Sequence, residues 1–318
     1  MDNTATTCSI CGANGVFPHY EVKEMMFGLR EKFDYFQCKN CHCLQLSDPP
    51  ADMSPYYPDN YYSFNVNKEG KYVGFGGWLR KLYYRWSLFG PRFYRRHLGL
   101  DKFKIMVDLN LNQDSRIMDV GCGNGQGFLE LLSYAGMTNL VGYDPYLEKD
   151  INYPTGLQIF KQDITAGKGE WDLITYHHAF EHLPNPLENL EQVERLLSDD
   201  GCCILRVPTV SSYAWDHYRE NWVQLDAPRH FHPHSSESIS YLASKAGLFL
   251  DQVIYDSGHL QFMGSEGYQN DIPLMEQRKP RGRDKWMYKL RKARYKREAK
   301  ALNKAGRGDQ AAFFLRKK

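Results

Sequence analysis

The sequence predicts an α/β fold with a mostly parallel, seven-stranded sheet carrying helices on both faces, and three observations predict it. Between Arg116 and about Asp271, short apolar segments alternate with amphipathic ones of helical period. A glycine-rich turn, residues 121–127, joins the first of these strands to the first helix. Ahead of them, residues 1–48 hold five of the eight cysteines, two pairs of them spaced C-x-x-C, so a small metal-held module is expected outside the sheet.

In chain order, that module comes first. Cys8-Ser-Ile-Cys11 and Cys38-Lys-Asn-Cys41 are separated by 26 residues. Two such knuckles place four thiolates tetrahedrally about Zn²⁺, and four protein ligands leave no position open for water, so the metal is expected to serve folding. His19, His42 and Cys43 lie near enough in sequence to replace one ligand. Residues 49–114 form a connector rich in Tyr, Pro and Arg, including the tract Tyr56-Tyr57-Pro-Asp-Asn-Tyr61-Tyr62. Within it, Leu79, Leu82, Trp86 and Phe89 fall at helical spacing with Arg80, Lys81 and Arg85 off that stripe. Such a helix either buries its stripe as a lid or lies in a membrane interface. Gly90-Pro91 ends it before a second short basic helix.

The sheet domain follows, expected over residues 115–272. RIMDV, NLVGYD, LQIFKQD, WDLITY and CCILRVP read as strands, and FLELLSYA, PLENLEQVERLLS and SESISYLASKAG as helices. The last two apolar stretches, LFLDQVIYD and QFMGSEGY, have no helix between them and are expected to pair antiparallel at one edge. Residues 273–318 are expected to be a basic tail.

Charge is unevenly spread. The chain's 40 Lys and Arg against 38 Asp and Glu give a net +2. Residues 71–104 carry +8 and residues 278–318 carry +14, leaving −20 on the rest. An anionic membrane surface reached through residues 77–98 and 278–318 is therefore an expected partner, and nucleic-acid phosphate a weaker one. There is no apolar run of membrane-spanning length and no signal-peptide pattern at the start. The expected location is cytoplasmic with the thiols reduced, peripheral on the inner membrane face if the basic segments dock there.

The turn Asp119-Val-Gly121-Cys-Gly123-Asn-Gly125-Gln-Gly127 lets the backbone approach a ligand at a helix N-terminus. Its glycines miss the G-x-G-x-x-G spacing, which argues against a nicotinamide dinucleotide. The stretch resembles motif I of the class I S-adenosylmethionine (SAM)-dependent methyltransferases, a family with a Rossmann-like sheet. The resemblance continues at Asp144, ending the second strand, and at Asp163, ending the third. It implies that Asp119, Gly121, Gly123 and Gly125 cradle SAM, that Asp144 takes the ribose hydroxyls and Asp163 the adenine amine, and that His178 lies beside the cofactor. A zinc ribbon before a SAM fold is similar to bacterial glycan and sugar-pathway methyltransferases. The sugar C-methyltransferases among them continue into a large second domain, so transfer to oxygen is favoured here.

A hydroxyl acceptor needs a base, and histidine is the usual one near neutral pH. His177-His178-Ala-Phe-Glu181-His182 follows the fourth strand, and Ala227-Pro-Arg229-His230-Phe-His232-Pro-His234 follows the fifth. His230 is the expected base, with His178 and His182 as further candidates. Arg229 is expected to orient an anionic group of the substrate, and Tyr57 and Tyr61 to line the acceptor pocket. The expected activity is methyl transfer to a glycan, sugar nucleotide or lipid-linked saccharide. An RNA methyltransferase gripping its substrate with ribbon and tail, and a non-catalytic SAM-binding scaffold, are the alternatives.

Overall fold

The computed structural model of the chain describes residues 5–58, 73–277 and 284–318. The described residues fall into two compact units. One lies within Met1–Pro58, Phe180–Leu190 and Leu205–Leu315, the other within Asp59–Ala179, Glu191–Ile204 and Arg316–Lys318.

The N-terminal segment contains the short strands β1 (Thr6–Thr7) and β2 (Asn14–Gly15), then β3 (His19–Lys23), β4 (Lys32–Gln37) and β5 (Leu44–Leu46). β3, β4 and β5 form an antiparallel sheet, with His19 opposite Phe36 and Tyr35 opposite Leu46. The turn between β3 and β4 is organised by Glu24, whose buried carboxylate accepts the backbone N–H groups of Met26, Phe27, Gly28 and Leu29 at 3.0–3.1 Å. Those donors have no ladder partner in a turn, and a carboxylate satisfies all four at once.

The second unit opens with α1 (Gly74–Phe89), α2 (Arg92–His97) and α3 (Asp101–Lys104). α1 stops at Gly90-Pro91, as its sequence predicts. The apolar stripe of α1, however, is not its buried face. Leu79, Leu82 and Trp86 are 45%, 38% and 47% exposed, with Phe75 and Trp78 beside them more exposed still. The buried residues of α1 are instead Gly77, Ser87 and Leu88, while towards the helix that follows the glycine loop, named α4 below, Lys81 lies over the Tyr134 ring and Arg85 reaches Gly136. Next come β6 (Ile117–Val120), α4 (Leu129–Ala135), β7 (Leu140–Tyr143), β8 (Ile151–Asn152), β9 (Gln158–Phe160), β10 (Trp171–His177), α5 (Pro186–Leu196) and β11 (Leu197–Pro208).

The chain then forms α6 (Tyr213–Tyr218), α7 (Ser236–Lys245), β12 (Leu248–Tyr255), α8 (Leu260–Gln269), α9 (Asp284–Lys304) and β13 (Gln310–Lys317). The main sheet has the order β12-β13-β11-β10-β6-β7-β9-β8. β10, β6, β7 and β9 run parallel in succession, and β8 pairs antiparallel with β9. The mostly parallel α/β sheet is as expected, with eight strands in place of seven.

Two expectations for the C-terminal part are corrected. QFMGSEGY is not a strand but lies within α8, where Gln261, Phe262, Ser265 and Tyr268 are buried at helical spacing. Gly264 lets this helix pack on Val223, since a Cβ there would lie 2.6 Å from Val223 Cγ2. The partner of β12 is instead β13, in the part expected to be a basic tail. Ala311, Ala312, Phe313, Phe314 and Leu315 are all buried, a continuous apolar run suited to a strand covered on both faces. α9 is basic and mostly exposed, anchored through buried Tyr295, which stacks on Phe262 at 4.7 Å and hydrogen-bonds Glu266.

Candidate active site

The four predicted cysteine ligands converge. Sγ atoms of Cys8 and Cys41 are 3.6 Å apart, as are those of Cys11 and Cys38, and all four lie within 4.8 Å of one another. A tetrahedron with metal–sulfur bonds near 2.3 Å has edges of about 3.8 Å, so the cluster fits one ion. The two knuckles share one local geometry. Gly12 N–H donates to Cys8 O and His42 N–H to Cys38 O, and both residues sit at positive φ, 72° and 57°. Donors also point at the sulfurs, Gln45 Nε2 to Cys8 at 2.9 Å and Asn40 Nδ2 to Cys11 at 3.4 Å, which stabilises thiolate. The other candidate ligands are occupied elsewhere: Cys43 is buried against Pro233 O, and His19 pairs with Asp34 at 2.8 Å.

The glycine loop has the conformation its sequence demands. Gly121, Gly123 and Gly125 adopt φ of 66°, 55° and 73°. A Cβ on Gly121 would lie 2.4 Å from Ala179 Cβ, and one on Gly125 would lie 2.7 Å from Ile159 Cδ1, so space as well as backbone conformation requires glycine. Asp144 braces the loop. Its carboxylate accepts Gly123 N–H at 2.8 Å and Tyr146 N–H at 3.0 Å, and burial raises its pKa. Asp119 lies beneath, 3% exposed, accepting Thr175 Oγ1–H at 2.7 Å. Burial, and secondarily the Asp144 charge, push its pKa up to about 7. Asp163 is exposed and caps the turn Ile164–Ala166 by accepting Thr165 N–H at 2.8 Å. His178 sits at φ 54°, turning the chain after β10, and the His177 ring packs 4.4 Å from Phe128.

The other predicted residues gather in the other unit. His230 and His182 stand edge to face with ring centroids 4.6 Å apart. His230 Nδ1 lies 2.9 Å from Gln224 O and His182 Nδ1 lies 2.8 Å from Arg229 O. A carbonyl only accepts, so each Nδ1 carries a proton. Burial, with His182 adding to it, pulls the pKa of His230 down to about 4, so the ring is neutral at pH 7. Tyr57 reaches this pair, its hydroxyl 3.4 Å from His182 Nδ1. Tyr61 lies outside the described residues.

Arg229 does not have the role expected of it. Its side chain is fully buried and bonds Asp226 through Nε at 2.9 Å and Nη2 at 2.5 Å, Glu24 through Nη2 at 3.0 Å, and Tyr56 O through Nη1 at 3.1 Å. A guanidinium so committed is a structural clamp and not a handle for substrate. Burial alone would raise the pKa of Asp226, but Arg229 beside it holds the carboxylate below its ordinary value.

Three participants escaped the sequence reading. Glu181 is fully buried, with Oε1 3.8 Å from His230 Nε2. Its place directly before His182 was the available signal. Glu24 lies in the ribbon segment, and Asp309 lies just ahead of β13. Asp309 accepts Gln224 Nε2–H at 2.6 Å and so steadies the carbonyl that orients His230. The ribbon also holds this loop directly, through Leu44 N–H to Pro233 O at 3.1 Å, Leu46 N–H to Phe231 O at 3.0 Å and Tyr35 Oη–H to His230 O at 2.9 Å.

A family profile described as "Methyltransferase domain" matches residues 93–253, just over half of the chain. No curated protein sequence matches it. Among solved structures, a cyclopropane synthase from Mycobacterium tuberculosis is 16% identical over 73% of this chain and 93% of its own, with a TM-score of 0.42. A SAM-dependent methyltransferase from Archaeoglobus fulgidus is also 16% identical, over 71% and 98%, at 0.41. An O-methyltransferase of a Brevibacillus brevis polyketide multienzyme, in complex with S-adenosyl-L-homocysteine, is 15% identical over 64% and 66%, at 0.37.

Proposed function

The chain belongs to the methyltransferase-domain family, and on that premise we propose that it transfers a methyl group from SAM to a hydroxyl oxygen of a saccharide, free, nucleotide-linked or lipid-linked. The observation that carries the choice of oxygen is the pinned tautomer of His230, whose neutral Nε2 is a proton acceptor. A hydroxyl of high pKa is almost wholly protonated near neutral pH and needs such a group. The saccharide class rests on the sequence resemblance of a ribbon preceding a SAM fold. Gly121, Gly123, Gly125 and Asp144 would hold SAM, with the Asp144 carboxylate taking the ribose diol. The four cysteines would hold a structural Zn²⁺, since four convergent thiolates with N–H donors suit that ion.

Asp144→Ala is expected to raise the Kd for SAM about 30-fold or more, because it removes charged hydrogen bonds worth about 1.5–3 kcal/mol each. Titration calorimetry reads this, and an unchanged Kd removes the ribose assignment. Methyl incorporation from labelled SAM into sugar nucleotides and lipid-linked saccharides, run beside bulk RNA, tests the acceptor. Label entering RNA alone would replace the saccharide reading.

The same reading includes docking on an anionic membrane. Among the described residues, no helix is long and apolar enough to cross one. Phe75, Trp78, Leu79, Leu82, Trp86 and Phe93 are nevertheless exposed along α1 and α2, beside Arg80, Lys81 and Arg95. Apolar rings with basic neighbours suit a headgroup layer. Flotation with phosphatidylserine liposomes is expected to carry the protein upward, and Trp78→Glu with Trp86→Glu to abolish this. Equal flotation of the double variant would end the membrane part of the reading.

A further inference from the structure

We propose that Lys102 receives the carboxylate at the amino-acid end of SAM. The inference rests on the reading of the glycine loop as the SAM site, and it adds a cofactor-binding residue that stands ahead of the sheet in sequence. Three observations carry it, all within the unit that contains β6 and the glycine loop.

The first is where Lys102 is held. α3 buries Phe103, and Ile105, Met106 and Val107 after it are buried as well. Ahead of it, Leu100 N–H donates to Ser87 Oγ at 3.0 Å and Ser87 Oγ–H donates to Tyr83 O at 2.7 Å, which ties the turn to α1. With its neighbours so anchored, the exposed Lys102 reaches the glycine loop, and its Nζ donates to Gly127 O at 2.6 Å. A Cβ on Gly127 would lie 3.8 Å from the same Nζ, so the ammonium stands against the loop itself. An ammonium has three donors, and one can hold the loop carbonyl while another meets a carboxylate oxygen.

The second is the direction of the loop. In the sheet, β6 lies between β7 and β10. Near its start the loop is braced from the β7 side, where Asp144 accepts Gly123 N–H. At its far end stands Phe128, whose ring packs 4.4 Å from that of His177, the last residue of β10. In SAM the ribose and the carboxylate lie on opposite sides of the sulfonium. A cofactor that sets its ribose on Asp144 and runs along the loop therefore carries its carboxylate toward the end where Lys102 bonds Gly127.

Charge supplies the third argument. SAM brings a sulfonium, an ammonium and one carboxylate. The buried carboxyls of Asp119 and Asp144 suit its cations and disfavour its carboxylate, which needs a positive partner. Other cations ahead of the sheet are held by acids, Lys104 by Asp101 at 2.6 Å and Arg92 and Arg96 by Asp108 at 2.5 and 2.7 Å. Lys102 brings the required sign to the loop.

The test compares three ligands by titration calorimetry on the full chain: SAM, S-adenosylhomocysteine and decarboxylated SAM, which keeps the sulfonium and the amine. Lys102→Ala is expected to raise the Kd for SAM about tenfold, the scale of one charge-assisted hydrogen bond at a partly exposed site. S-adenosylhomocysteine keeps the carboxylate and lacks the sulfonium, and it is expected to lose the same factor. The Kd for decarboxylated SAM is expected to stay within about twofold, and Lys102→Arg to recover most of the loss. Lys102 is exposed, and near-ultraviolet circular dichroism checks that both variants are folded. An unchanged Kd for SAM in Lys102→Ala overturns the assignment and leaves the SAM reading intact. Equal losses for SAM and decarboxylated SAM also overturn it, since the lysine would then act only by bracing the loop through Gly127 O. A wild-type chain that binds none of the three ligands removes the SAM reading, and the role of Lys102 with it.

Discussion

Arg229→Ala is expected to lower the stability of the protein by about 3–5 kcal/mol, the cost of removing one partner from a buried ion pair. The side chain has no exposed surface and bonds two carboxylates and a backbone carbonyl. Truncation strands the Glu24 and Asp226 carboxylates without their shared cation. Glu24 organises the β3–β4 turn, and Asp226 stands at the head of the histidine loop, itself at a positive φ of 42°. Arg229→Lys is expected to recover only part of the loss, because a single ammonium cannot reproduce the fork that meets Asp226 through both Nε and Nη2. Urea denaturation measures both variants. A loss below about 1 kcal/mol for the alanine would mean that the clamp is not holding buried charge.

On the proposed reading, Cys8→Ser is expected to abolish metal binding at the cysteine cluster and to cut methyl transfer by about 100-fold, the scale on which a displaced group loses its alignment. The reason is distance along the hydrogen-bond chain. Cys41 O receives the Ser235 hydroxyl, β5 bonds Pro233 and Phe231, and Tyr35 bonds the carbonyl of His230. Without an ion at the four cysteines, the two-residue strands β1 and β2 lack the core to stay ordered alone, and the segment against the His230 loop loses part of its support. SAM affinity is expected to stay within about threefold of its starting value, since the bonds bracing Gly123 and Asp144 are made elsewhere. Metal analysis with parallel calorimetry and turnover separates the effects. A metal-free variant with full turnover would confine the ribbon to a role apart from catalysis.

The parts of the site that sequence made legible are those where a residue type and a short spacing force one local geometry. C-x-x-C followed by a residue able to take positive φ produced two matching knuckles, at Gly12 and at His42. Gly121, Gly123 and Gly125 each required a left-handed backbone, and two of them also required the missing Cβ. Alternation of apolar strands and amphipathic helices fixed the parallel strands β6, β7, β9 and β10, because helix and strand periods bury different sets of positions.

Tertiary structure decided what depended on partners far away in sequence. Seventeen basic residues in the last 41 obscured a run of five buried apolar ones, so the strand β13 was legible only once the sheet showed a place for it between β12 and β11. Arg229 reads as a substrate handle in sequence because a guanidinium is ordinarily solvated; Glu24, some 200 residues earlier, and Asp226 make it a buried clamp. Likewise, the spacing of the α1 stripe allowed either a buried lid or an interfacial face, and only packing showed that Gly77, Ser87 and Leu88 turn inward while Leu79, Leu82 and Trp86 stay exposed. Sequence alone therefore determined the SAM-fold loop, the cysteine cluster and the fold class, each set by local steric or coordination chemistry. Which side chains lose their water, and so which charges need a partner, was decided only by the packing of distant segments against one another.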